Sequence, residues 1–201
     1  MTDVISGITA VYGGSFNPPH MGHRMVVENV LRDLDADRFI FLPLGTAPHK
    51  TDMASPEDRL RMCELTIEGI EGAEVSDIEV RREGYTYTID TITALKEMGY
   101  EDISYVIGSD ILFTIETWRR FTELVNMVRF ICIPRPGDRE DIYLKRDMLT
   151  REYGADIEFA DFTGPDISST DIRRMIKEGK DTTGLLVEEV RRYIDEKGLY
   201  V

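Results

Sequence analysis

The stretch Val11-Tyr-Gly-Gly-Ser-Phe-Asn-Pro-Pro-His-Met-Gly-His23 decides the reading of the fold. A short β-branched run, Ile8 to Val11, precedes it and an apolar pattern with helical spacing follows, so it reads as a strand-to-helix turn. Gly13 and Gly14 let the backbone turn tightly and approach a ligand without a Cβ in the way. Pro18 and Pro19 stiffen the loop and contribute no N–H. His20 and His23, three residues apart, fall on one face of a helix that begins about there. The unpaired N–H groups and positive dipole end of such a helix favour an anion. The expectation is a phosphate site.

Outward from this turn, strands alternate with helices. Ile8 to Val11 is the first strand and Met21 to about Leu34 the first helix, with Met25, Val26, Val30, Leu31 and Leu34 as its apolar stripe. Arg38 to Pro43 reads as a central parallel strand covered on both faces, being apolar after its first residue. Ser55-Pro56-Glu57-Asp58 is a helix start, with a Ser cap, Pro in the first position and acids in the first turn. Further strands are expected at Glu74 to Val80, Ile103 to Gly108, Phe130 to Pro134 and Ile157 to Phe162. Helices are expected at Thr88 to Met98, in short pieces from Ile111 to Met127, after Gly137, and at Ser168 to Glu178 and Leu185 to Glu196. Such alternation means βαβ units with right-handed crossovers. The expected architecture is α/β, a Rossmann-like doubly wound open sheet of parallel strands, with helices on both faces and a helical C-terminal segment, in one domain over residues 1–201. In such a sheet ligands bind beyond the carboxyl ends of the strands. The segments 13–23, 45–50, 108–110 and 135–137 all follow strands directly, which brings His20, His23 and His49 to one crevice.

Composition narrows the function. With 24 Lys and Arg against 38 Asp and Glu, the formal charge is −14, which argues against a nucleic-acid or anionic membrane partner. A pocket can still gather a few cations for a small phosphorylated ligand. No apolar run reaches the roughly 18 residues of a membrane helix, and Met1-Thr-Asp opens no signal sequence, so the cytoplasm is expected. Cys63 and Cys132 lack metal or redox spacing and read as buried thiols. A homo-oligomer stays open.

The loop itself excludes two familiar nucleotide sites. Gly13 to Asn17 lacks the third glycine of the dinucleotide fingerprint, and no Gly-Lys-Ser/Thr follows to make a Walker loop. Two imidazoles at a helix start can instead donate hydrogen bonds to phosphate oxygens and steady the charge growing on a departing pyrophosphate.

These residues resemble the His-x-Gly-His signature of the nucleotidyltransferase superfamily, in the Gly-Gly-Ser/Thr-Phe-x-Pro-x-His-x-Gly-His version of bacterial nicotinate-nucleotide adenylyltransferases. Similar segments run along the chain: Pro48-His49-Lys50, Gly84-Tyr-Thr-Tyr-Thr88, Gly108-Ser-Asp110 with Trp118, Arg135-Pro136-Gly137, Ile167-Ser-Ser-Thr-Asp-Ile-Arg173, and Val190 to Tyr200. The resemblance implies transfer of AMP from ATP to nicotinate mononucleotide, giving nicotinate adenine dinucleotide and pyrophosphate with Mg²⁺, which would be bound mainly through the ATP phosphates. Nicotinamide mononucleotide or another phosphorylated acceptor, and a non-catalytic nucleotide-binding regulator, are the alternatives. It further implies His20, His23 and Arg173 as catalytic. ATP would be held by Gly13, Gly14, Ser15, Phe16, His20, His23, Gly108, Asp110, Ser168, Ser169, Thr170 and Arg173. The acceptor would be held by Asn17, His49, Lys50, Thr88, Trp118 and Arg119. Plain structural roles compete: Trp118 as core, Arg173 as a surface ion pair, Asp110 as the cap of a helix from Ile111. The chain departs from the family pattern at Asn17, where Asp is usual, at Thr86 for Ser, and at Leu186-Val187 for Leu-Pro.

Overall fold

Six strands make one parallel sheet: β1 (Ile5–Gly14), β2 (Arg38–Pro43), β3 (Ala73–Val75), β4 (Tyr100–Gly108), β5 (Arg129–Ile133) and β6 (Ile157–Phe159), in the order β3-β2-β1-β4-β5-β6. The structure is a computed structural model that describes residues 4–34, 36–46 and 53–201. His49 and Lys50 lie outside the described residues. Along β2, alternate side chains go to opposite faces. Phe39 and Phe41 join a core with Val26, Val27 and Val30, while Ile40 and Leu42 join another with Ile89 and Ile92. Both faces are covered, and this is why the strand is apolar from Phe39 onward.

The helices divide accordingly. α1 (Met21–Asp33) and α2 (Pro56–Ile67) cover one face; α3 (Thr88–Glu97) and α6 (Asp141–Tyr153) cover the other, with the short turns α4 (Ser109–Leu112), Ile115–Thr117 and α5 (Phe121–Leu124) between them. α7 (Ser169–Lys177) and α8 (Glu188–Lys197) place Ile172, Val190 and Ile194 against Met62 of α2 in a third apolar cluster. Ser55 caps α2 as expected, its hydroxyl accepting the Asp58 N–H at 3.0 Å.

Two edge strands end sooner than their sequences predict, for one shared reason. On β3 the Ser76 N–H still reaches the Phe41 carbonyl at 3.0 Å, and the next rung would take an N–H from residue 43, which is proline. On β6 the Ala160 N–H reaches the Cys132 carbonyl at 3.0 Å, and the next rung would need an N–H from Pro134. Each proline stops the ladder on the neighbouring strand, and 76–80 and 160–162 leave the sheet.

Candidate active site

β1 and β4 are neighbours in the sheet although β2 and β3 intervene in sequence, so the strand order reverses between them. Beyond their carboxyl ends opens a cleft of about 950 Å³, where the topology of open parallel sheets puts a ligand. Gly13, Gly14, Ser15, Phe16, Asn17, His20 and His23 line one side of it, with Gly108 and Asp110 from the end of β4 and Ser168, Ser169, Thr170 and Arg173 from the start of α7. Thr88 and Trp118 line it too. Arg119 does not: successive side chains diverge after Trp118, and the Arg119 guanidinium lies exposed over the Tyr87 ring, 4.5 Å from its centroid.

The phosphate loop is held from several sides. Phe16 takes a left-handed φ of 43° and packs its ring on Phe41 and edge-on to His23, 4.9 Å between centroids. The Asn17 side-chain oxygen accepts the Ala54 N–H at 3.0 Å and the Tyr200 hydroxyl at 2.8 Å. The Asn17 carbonyl accepts from the Arg173 guanidinium at 2.7 Å, and the Pro18 carbonyl from the Ser169 hydroxyl at 2.8 Å. Arg173 also donates to the Thr170 hydroxyl at 3.3 Å, so it serves the loop and the start of α7 rather than a surface carboxylate. Ser168 caps α7, accepting the Thr170 N–H.

The two histidines meet as their spacing requires. Their rings stack with centroids 3.6 Å apart and planes 23° from parallel. The main-chain N–H of His20 donates to His23 Nδ1 at 3.1 Å, which leaves the His23 proton on Nε2 and makes that atom a donor. Gly22 makes the stacking possible: a Cβ there would lie 2.8 Å from Pro165 Cγ and 3.0 Å from His20 Nδ1. Main-chain donors at the start of α1 are a different matter. The Met21 N–H is taken by the Leu185 carbonyl and the His23 N–H by the His20 carbonyl, both at 2.8 Å. An anion here meets imidazoles and loop rather than those two N–H groups of the helix end.

Charge is arranged so that the imidazoles stay neutral. Burial, with the Arg135 guanidinium adding to it, pushes His20 down to about 4. Burial also holds His23 well below the usual histidine range, helped by His20 and Arg135. Each ring therefore offers one N–H at neutral pH, and the positive charge facing the cleft comes from Arg173 and Arg135. Among the described residues, the buried His20 Nδ1 has no hydrogen-bond partner, and a buried polar atom without one costs about 1–3 kcal/mol. Asp110 is not a cap. α4 begins at Ser109 with Gly108 as its N-cap, and Asp110 pairs with Arg135 at 3.0 Å on the open side of the cleft.

The far end of the cleft is aromatic. Tyr105 of β4 carries its hydroxyl across to β1, where a Cβ on Gly13 would come within 2.2 Å of it. Trp118 stands edge-on to Tyr105, 5.8 Å between centroids, and is half-buried, with part of its ring on the core and part on the cleft. Burial raises the Glu79 carboxyl, which accepts from the Thr91 hydroxyl at 2.8 Å. Sequence reasoning did not single out Tyr105, Glu79 or Arg135 as site residues. Arg135 was within its reach, because it follows β5 directly. Glu79 was not, because it lay inside a segment read as strand. Among the described residues, no group of three or more His, Cys, Asp or Glu side chains is placed to hold a metal.

A sheet reversed at β1 and β4, with paired histidines on the first turn, defines a nucleotidyl-transferring α/β protein, and the comparisons fall in the same class. The profile of the cytidylyltransferase-like family matches residues 11–175. A protein of Caldicellulosiruptor saccharolyticus named "Probable nicotinate-nucleotide adenylyltransferase" is 38% identical over 192 residues, covering 95% of this chain and 97% of its own. One of the same name from Fusobacterium nucleatum is 36% identical over 191 residues, covering 94% and 97%. Among solved structures, Plasmodium falciparum nicotinic acid mononucleotide adenylyltransferase complexed with NaAD superposes with a TM-score of 0.81 at 21% identity, covering 97% of this chain and 98% of that one, and supports the fold. The chain belongs to the cytidylyltransferase-like family and, within it, to the nicotinate-nucleotide adenylyltransferases.

Proposed function

We propose that this protein transfers the adenylyl group of ATP to nicotinate mononucleotide, forming nicotinate adenine dinucleotide and pyrophosphate. The observation that carries the reading is the stacked His20–His23 pair, which lines one cleft together with Arg173 and Trp118. An oxygen of the acceptor phosphate forms the new bond to the α-phosphorus, and the bond from that phosphorus to the bridging oxygen of pyrophosphate breaks. Both partners arrive charged and reactive, so no protein nucleophile is needed. Holding them in line supplies on the order of 7–11 kcal/mol of barrier reduction.

The residues divide the work. His23 donates from Nε2 to a phosphate oxygen beside the reacting centre, and His20 donates next to it. Arg173 and the capped start of α7 take the β- and γ-phosphates, where a bidentate guanidinium is strongest. Gly108 and Asp110 meet the adenosine side, Asp110 exchanging Arg135 for a ribose hydroxyl. Trp118 stacks on the pyridine ring, with Thr88, Asn17 and His49 as polar partners of the acceptor and Lys50 supplying positive charge. Mg²⁺ would be held by the triphosphate and water oxygens rather than by a protein ligand set, and would supply charge neutralisation at the phosphates. On this reading one domain in the cytoplasm carries both substrate sites.

The test is a side-by-side assay of purified protein with ATP, Mg²⁺ and one of nicotinate mononucleotide, nicotinamide mononucleotide or phosphopantetheine. Pyrophosphate release fastest with nicotinate mononucleotide is expected. Faster release with another acceptor reassigns the substrate, and ATP binding without release from any of them removes the activity.

A further inference from the structure

Among the described residues, the largest fully buried side chain is Arg59, on α2, at 0% exposure. A buried guanidinium is normally matched by a carboxylate, yet Arg59 makes no ion pair among the described residues. It donates instead to three main-chain carbonyls: Ser15 at 3.0 Å, Gly45 at 3.0 Å and Ala54 at 3.2 Å. These come from different places. Ser15 is the turn after β1, while Gly45 and Ala54 are the two ends of the segment that carries His49 and Lys50. A planar fork of five N–H groups can span three such acceptors at once, and an ammonium cannot.

The consequence for the cleft is geometric. In a trans peptide the N–H points opposite the carbonyl, so fixing the Ser15 carbonyl on Arg59 turns the Phe16 N–H away from it. Ser15 and Phe16 line the cleft, and both ends of the 45–54 segment are tied to the same guanidinium. We propose that Arg59 is a positioning residue for adenylyl transfer: one buried guanidinium holds the phosphate loop and both ends of the acceptor segment in a single register. The proposal rests on the reading of the cleft given above. Arg59 touches neither substrate and acts through the backbone of Ser15, Gly45 and Ala54.

The test compares Arg59→Lys and Arg59→Ala with wild type, measuring kcat and KM for ATP and nicotinate mononucleotide, thermal melting, and ATP binding by titration. A misplacement of about 1 Å costs on the order of 10²-fold in rate. Arg59→Lys, folded at the assay temperature, is expected to lose about that much kcat/KM for both substrates. Guanidinium ion at non-denaturing concentration is expected to restore part of kcat to Arg59→Ala and none to Arg59→Lys. A folded Arg59→Lys enzyme with wild-type constants overturns the proposal, and so does a loss in Arg59→Ala that guanidinium leaves unchanged. If neither variant folds, Arg59 belongs to the fold alone and the proposal fails. If wild type itself releases no pyrophosphate, the functional reading has failed instead. ATP affinity then decides: weakened binding in Arg59→Lys upholds the hold on the phosphate loop, and equal affinity refutes it.

Discussion

The neutral histidine pair makes a quantitative prediction about stability and pH. His20 titrates at 6.5 when the chain is unfolded and at about 4 in the native cleft, where it is 7% exposed. Between those two values the unfolded chain binds the proton and the folded chain refuses it, so stability rises with pH across the window. The contribution is fully present above pH 6.5 and is lost as the pH falls toward 4. Its whole size is about 3 kcal/mol, and the part lost between pH 7 and pH 5 is roughly 2 kcal/mol. For a chain of this length that is about 4–8 °C in melting temperature. Replacing His20 by Asn removes the titrating group, and changes elsewhere cancel when the two proteins are compared. The variant should lose roughly 2 kcal/mol less than wild type over the same interval, measured by urea unfolding at both pH values. Because His20 also depresses His23, removing it relaxes the second histidine in the same direction, and the difference can only grow. Saturating ATP, whose phosphates favour the protonated rings, should flatten the wild-type profile. Equal losses in wild type and variant would refute the placement of His20 in a proton-refusing site.

Three further substitutions test the site. Arg173→Ala should cut kcat/KM for ATP by about 10²–10³-fold, the typical effect of removing one donor to developing charge, while the lost bond to the Asn17 carbonyl costs about 1.5–3 kcal/mol in a denaturant melt. Gly22→Ala drives a methyl group against Pro165 and His20. Overpacking of about 1–3 kcal/mol is partly offset by the better helix propensity of Ala, about 1 kcal/mol, so melting should fall by no more than about 8 °C while the rate drops about 10²-fold through displacement of His20. Trp118→Ala should raise the KM for the acceptor by about 5- to 150-fold, taking ring stacking at about 1–3 kcal/mol, with the KM for ATP unchanged; an unchanged acceptor KM returns Trp118 to the core.

What could be read from sequence was the chemistry that sits next to itself in the chain. His20 and His23 were expected on one helix face and meet instead as the extended N-cap and the third position of α1, and the alternation of apolar strands with capped helices at Ser55 and Ser168 foretold the layers. Strand ends were not legible, because the proline that stops β3 is on β2 and the one that stops β6 is on β5. The donors expected at the start of α1 were spent on partners, one of them Leu185, which no local pattern reveals. No local pattern marks Arg59, because its three acceptors at Ser15, Gly45 and Ala54 meet only in the assembled fold. The competing role of Asp110 as a cap fails because α4 begins at Ser109, two residues before the start expected at Ile111.

The Asn17 loop is made early in synthesis and fastened late. The Tyr200 hydroxyl that reaches Asn17 lies 183 positions downstream, the Arg173 guanidinium 156, and the Ser169 hydroxyl on Pro18 151. A growing chain can pair β1 with β2 soon after both emerge, since N-terminal parts fold first during translation. Its phosphate loop lacks these three supports until residues 169–200 have appeared. A ribosome-bound intermediate stalled before residue 169 would carry the His20–His23 segment without them, and the gain of nucleotide binding along the nascent chain should therefore come as a late step rather than grow with length.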